Sequence, residues 1–146
     1  MGQPGMKIDE SVVEGRSEIV YKIVELASAS ISDRFAYAAQ QATFFGQDKE
    51  AVFDNLSLWT GWWRDMLLAK QGCVDLISNI DRMDVLEKLS GQYDVGQIAG
   101  FIEGLDLAVR NLHRNANPRL ALEILMLDIP KPHHGRRKEG ASAASF

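Results

Sequence analysis

The four prolines of this 146-residue chain stand at positions 4, 118, 130 and 132, and none falls between residues 5 and 117. Proline interrupts helix interiors because it lacks an N–H and its ring crowds the preceding turn. A proline-free span of this length leaves the hydrophobic period free to decide the local structure. Apolar residues recur at helical spacing over long stretches, and no convincing alternation of period two occurs. The expectation is an all-α fold, a single bundle of about five to six helices.

The first helix is expected over residues 10–26. Val12, Ile19, Ile23 and Leu26 share one face, widened by Val13, Val20 and Val24. The Ala-Ser-Ala-Ser run at 27–30 ends it. Ser32 reads as the N-cap of a second helix, with Asp33 in its first turn favoured by the helix dipole. Phe35, Ala38, Ala39, Ala42 and Phe45 form its expected inner stripe, and Gly46 is its expected stop. The third and longest helix spans about 48–71. Val52, Leu56, Trp59, Trp63, Met66 and Leu67 keep helical spacing there, with Trp62 at the margin and Gly61 interrupting.

Residues 73–81 read as a connector, followed by a short helix over about 82–89. A fifth helix covers about 94–114, with Ile98, Phe101, Ile102, Leu105, Val109 and Leu112 inward. Asn117 suits an N-cap, and Pro118 fits the first helical position, where its missing N–H is not needed. The sixth helix then runs over 119–128. Leu120, Leu122, Ile124, Leu125, Met126 and Leu127 cover nearly its whole circumference, which predicts burial on all sides, at the centre of the bundle or against another chain. The domain is therefore placed at residues 1–129. Residues 130–146, rich in Pro, Gly, Ala, Ser and basic side chains, are expected to be a disordered tail.

Charge is unevenly spread. The total is −4, but residues 130–146 hold Lys131, Arg136, Arg137 and Lys138 against Glu139, a net +3, which leaves −7 on residues 1–129. An acidic body lacks the cations that a phosphate-gripping surface needs. The lone Cys73 cannot close an internal disulfide, no apolar run is long enough to span a bilayer, and residues 1–10 do not resemble a signal peptide. The expected setting is cytoplasmic.

The sequence holds no Gly-Lys dipeptide, no G-x-G, no H-E-x-x-H, no C-x-x-C and no G-x-S-x-G. No enzyme, cofactor or metal is expected. His133 and His134 are two imidazoles where a stable metal site usually needs three or four ligands. His113, near the end of the fifth helix, suits the helix dipole there. Asp65 reads as one half of an ion pair with a basic neighbour. Trp59, Trp62 and Trp63 read as core, with a subunit interface as the alternative, because tryptophan is enriched at binding hot spots. Base stacking is a further option that the acidic body disfavours.

Gly96, Gly100 and Gly104 fall four apart in the fifth helix, and Ala108 extends the row. Each glycine inside a helix costs roughly 1 kcal/mol relative to alanine. Either solvent lies on that side or another backbone comes close, so these three glycines are candidate subunit-interface residues together with Trp59 and Trp62.

Two segments carry a family resemblance. Trp62-Trp63-Arg64-Asp65-Met66-Leu67-Leu68 is similar to the W-W-R-D-L-L segment of the C-terminal domain of bacterial DNA polymerase III clamp-loader subunits. Residues 114–127, with Asn115, Asn117, Pro118, Arg119 and Leu120-Ala121-Leu122-Glu123, resemble that domain's N-x-N-P-R-L-A-L-E-x-L-L-L segment, the most specific part of the likeness. Asn79-Ile80-Asp81-Arg82 resembles its N-x-D-R step, and Gly2-Gln3-Pro4-Gly5 its G-x-P-G turn. The resemblance spans about residues 2–129 and is nearest to the delta-prime subunit, with gamma/tau as the other candidate origin.

It implies a collar domain, a helical module that holds the clamp-loader ring together while the ring loads the sliding clamp in DNA replication. Its implied partners are the delta and gamma/tau subunits. Contact with the sliding clamp and primer–template DNA would run only through the AAA+ domains that precede the collar in that family. The domain itself would be non-catalytic, although its parent would belong to a DNA-directed DNA polymerase holoenzyme. The competing reading is a small helical regulator or adaptor acting alone.

Overall fold

Asp48 sets the first hairpin of the computed structural model, which describes residue 18 and residues 21–133. Its N–H donates to Phe44 O at 2.8 Å, closing one helix, while its carboxylate accepts from Ala51 N at 3.1 Å, opening the next. One residue thus serves as C-cap and N-cap. The helices it joins are α2 (Ile31–Gln47) and α3 (Lys49–Lys70). α2 passes through Gly46 rather than stopping there, because Asp48 supplies the termination. Its N-cap is Ser30, whose hydroxyl accepts from Asp33 N at 3.1 Å, and not Ser32, which lies inside the helix.

Before α2, a helix α1 covers residues 21–27. The expected start of that helix near residue 10, with Val12, Val13, Ile19 and Val20, lies outside the described residues, as does the turn at residues 2–5. After α3, two 3₁₀ turns, Val74–Leu76 and Ile80–Arg82, form the connector. Then come α4 (Met83–Ser90), α5 (Val95–His113) and α6 (Pro118–Asp128). α5 opens with a capping box between Asp94 and Gln97. The described residues thus form an all-α bundle of six helices, with no strand among them.

α3 is the central element, packed against α2, α4 and α5, while α6 lies against α2 and α5. The core gathers around the tryptophans. Trp59, Trp62 and Trp63 are 2%, 1% and 1% exposed, and Trp63 meets Tyr93 and Phe101 edge-on at 5.1 and 4.8 Å between ring centroids. Trp62 is therefore a central core residue rather than a marginal one.

The inner face of α2 carries an unexpected member. Arg34 is 3% exposed and lies on the same face as buried Ala38 and Phe45. Its guanidinium donates to Leu26 O and Ala27 O, both at 2.9 Å, at the end of α1. It also donates to Met126 O at 3.0 Å and Ile129 O at 3.4 Å, at the end of α6. Carbonyls at helix C-termini lack intrahelical donors and carry the negative end of the helix dipole. Two such ends converge on one cation.

Substituting Arg34 with Met keeps much of the volume and removes the side-chain donors, leaving Leu26 O and Met126 O only their backbone partners, Ala29 N and Ile129 N, and removing the guanidinium from Ala27 O and Ile129 O. Orphaned buried carbonyls each cost about 1–3 kcal/mol. The unfolding midpoint of Arg34→Met should drop by roughly 10 °C. Arg34→Lys should recover only part of this loss, because an ammonium cannot span four carbonyls as a planar fork does. A calorimetric midpoint equal to that of the parent chain would show that Arg34 does not hold the helix ends.

Burial also acts on two phenols. Tyr37 and Tyr93 are each pushed up to about 12 from 10.0 by desolvation, with the Arg34 charge pulling Tyr93 the other way. The fold therefore keeps protons that the unfolded chain releases near pH 10. Stability should be insensitive to these phenols below about pH 10 and decline from there towards about pH 12. Urea midpoints taken across that range test the slope, and a flat profile would contradict it.

Candidate subunit interface

The residues that carry the family resemblance build a turn. Asn115 closes α5 in the left-handed conformation, φ +64°, which asparagine tolerates better than most side chains. Ala116 N donates back to Asn111 O at 3.0 Å. Asn117 Oδ1 then accepts from Leu120 N at 3.0 Å, and Pro118 occupies the first turn, as the sequence leads one to expect. Arg119 pairs with Glu123 one turn on, Nε to Oε2 at 3.0 Å. Asn115, Asn117 and Pro118 shape the reversal between α5 and α6, and hence which face of α6 turns outward, while the Arg119–Glu123 pair runs along α6 itself.

That outward face is apolar. Ala121, Leu122, Leu125 and Met126 are buried, but Leu120, Ile124 and Leu127 remain 56%, 47% and 50% exposed. Of the two placements expected for α6, this overturns the centre of the bundle; burial against another chain is the other. α2 and α5 flank it and the core lies beneath, which leaves one side without cover from any described residue. The three exposed residues stand at i, i+4 and i+7, so they form one stripe. Leu107 on the adjacent α5 is 47% exposed as well. Apolar side chains scattered singly on a surface are ordinary, whereas a contiguous stripe marks a contact surface.

The glycine row behaves differently along its length. Successive members of a four-residue row drift about 40° around an α-helix. Gly96 and Gly100 are exposed, Gly104 is half-buried and Ala108 is buried. A Cβ on Gly100 would meet nothing within 4 Å, whereas one on Gly104 would stand 3.0 Å from Asp128 Oδ2. Close approach thus occurs at Gly104, towards the C-terminal end of this chain's own α6. Only Gly96 and Gly100 stay open to a partner.

Trp59 and Trp62, the other interface candidates, lie inside the chain's own core. Trp63 joins them, and Arg64 faces solvent. Asp65 is 2% exposed and makes no ion pair among the described residues, contrary to expectation. Its carboxylate accepts from Ser78 N at 3.2 Å, Asn79 N at 2.8 Å and Asn79 Nδ2 at 2.6 Å. These donors satisfy the carboxylate and tie the connector to α3, which links two of the resembling motifs physically.

The histidines have local partners. His113 stacks on Phe53 at 4.2 Å and 8°. His133 Nε2 lies 3.7 Å from Asp94 Oδ2, and the His133 backbone N–H donates to Gln92 O at 2.6 Å. Gln97 Nε2 donates to Lys131 O at 3.1 Å. Residues 130–133, expected to be disordered, are thereby held against the start of α5. His134 and the rest of the tail lie outside the described residues. Among those described, no cluster of His, Cys, Asp and Glu could hold a metal ion, and no helix is long and apolar enough to cross a membrane.

Replacing Asn117 with Ala removes the cap of α6 and should cost about 1 kcal/mol. The expected result is a midpoint a few degrees lower by thermal circular dichroism. An unchanged melting curve would show that the cap does not secure α6.

Comparison of the chain with protein families, curated proteins and solved structures found no match.

Proposed function

We propose that this chain is a collar-type interaction domain of a bacterial DNA polymerase III clamp loader, nearest to delta-prime, and that it joins neighbouring subunits through the outer face of α6 and the open part of α5. The stripe of Leu120, Ile124 and Leu127 carries the reading. A stripe of this kind, on a helix fixed beneath by Arg34 and at its start by Asn117, offers a rigid apolar ridge. Burying such a ridge against another chain contributes roughly 25 cal/mol per Å² of apolar area. The resemblance of residues 62–68 and 114–127 to clamp-loader collars supplies the identity of the partners, the delta and gamma/tau subunits.

In this reading the domain's work is positional. It orients what is attached to it by holding neighbours at fixed angles, and no proton or group transfer is assigned to it.

The test is association of the chain with delta and gamma/tau subunits, followed by analytical ultracentrifugation. Ile124→Glu places a charge in the stripe, and Gly100→Leu fills open space on α5. Both variants should keep the parent's helical content, and Gly100→Leu should gain some stability because glycine is the poorer helix former. Ile124→Glu should weaken association about tenfold or more, the usual scale for a hot-spot residue. Failure of the parent chain to join any clamp-loader subunit would remove the collar reading. Full association of both variants would remove this face as the interface.

A further inference from the structure

A cleft of about 650 Å³ opens between α1, α3 and α4, away from the α6 stripe. Trp62, Trp63 and Met66 of α3 line it together with Ile23 of α1, and Arg82 and Lys88 stand at its edge. Its size falls within the range of small-ligand sites, which are mostly apolar with a few polar groups that fix orientation.

Two observations point to the kind of occupant. First, the indole Nε1 atoms of Trp62 and Trp63, like that of Trp59 outside the cleft, are buried, so the tryptophans offer an occupant apolar contact and no reachable donor. Second, Arg82 and Lys88 make no salt bridge among the described residues; Arg82 lies over the Tyr21 ring at 5.7 Å. The one carboxylate in the lining, Asp84, already accepts from Val85 N at 2.9 Å. The cleft thus joins an apolar wall to an edge where two cations outnumber one carboxylate, Asp84.

We propose that this cleft binds an amphipathic carboxylate, with its apolar body against Trp62, Trp63 and Met66 and its oxygens towards the Arg82–Lys88 edge. Arg82 supplies a planar fork suited to a carboxylate, and Lys88 a second, more mobile charge. A cationic amphiphile would meet like charge at the edge, and a neutral one would keep only the apolar contacts.

The probes are dodecanoate, dodecanol and dodecyltrimethylammonium, each titrated into the full chain below its micelle concentration. Intrinsic tryptophan emission is the readout, since two of the three indoles line the cleft. Dodecanoate should give a saturable one-to-one change, dodecanol should bind about tenfold more weakly, and the ammonium should be weaker still. Arg82→Ala and Lys88→Ala, both at the edge of the cleft and outside the buried core, should each weaken dodecanoate severalfold and leave dodecanol unchanged. A non-saturable response, equal affinity for all three head groups, or rim variants that bind dodecanoate like the parent would overturn the proposal.

Discussion

Arg34 is the contact on which the arrangement of helices depends. A buried guanidinium needs compensation, and the usual source is a carboxylate. Here four carbonyl oxygens at the ends of α1 and α6 provide it. Each helix C-terminus carries about half a negative charge, so two of them come close to balancing one cation. Arg34 and Met126 are 92 residues apart in sequence, and this bond joins the early part of the bundle to its last helix. Moving α6 would deprive the cation of half its acceptors, and losing the cation would leave Ala27 O and Ile129 O without the guanidinium.

This anchoring bears on what α6 can do. A short helix with apolar residues on every side would ordinarily be stabilised by burial alone. α6 instead has its start fixed by Asn117 and its end by Arg34, with four side chains in the core between them. Leu120, Ile124 and Leu127 are then free to face outward. The proposed interface follows from that division: one side of the helix holds the fold, and the other is left for a neighbour. The Asn115 and Asn117 turn sets the rotation that separates the two sides.

Much of this was legible in the sequence. Helical spacing placed α3, α4 and α5 to within a residue or two, and cap chemistry located the start of α6, because these signals are local. Non-local partners were harder to read. Arginine is seldom fully buried, so composition hides the role of Arg34, although its spacing of four from Ala38 and eleven from Phe45 puts it on the inner face of α2. Asp65 has basic neighbours in sequence, but its partners are amides 13 and 14 residues away, across a connector without periodicity. The composition of α6 showed that it was too apolar for a surface helix but not which side would stay uncovered, since that depends on how α2 and α5 flank it. Residues 130–133 lacked a core pattern and are held mainly by polar contacts to the start of α5, which hydrophobic periodicity cannot detect.

The claim that α6 anchors the fold on one side and a neighbouring subunit on the other is tested most directly by amide hydrogen exchange. The chain would be followed alone and in the presence of delta and gamma/tau subunits. The added protection should concentrate on α6 and the outward side of α5, with α4 and the connector exchanging as before. Exchange in α6 that is the same with and without those subunits would contradict the account.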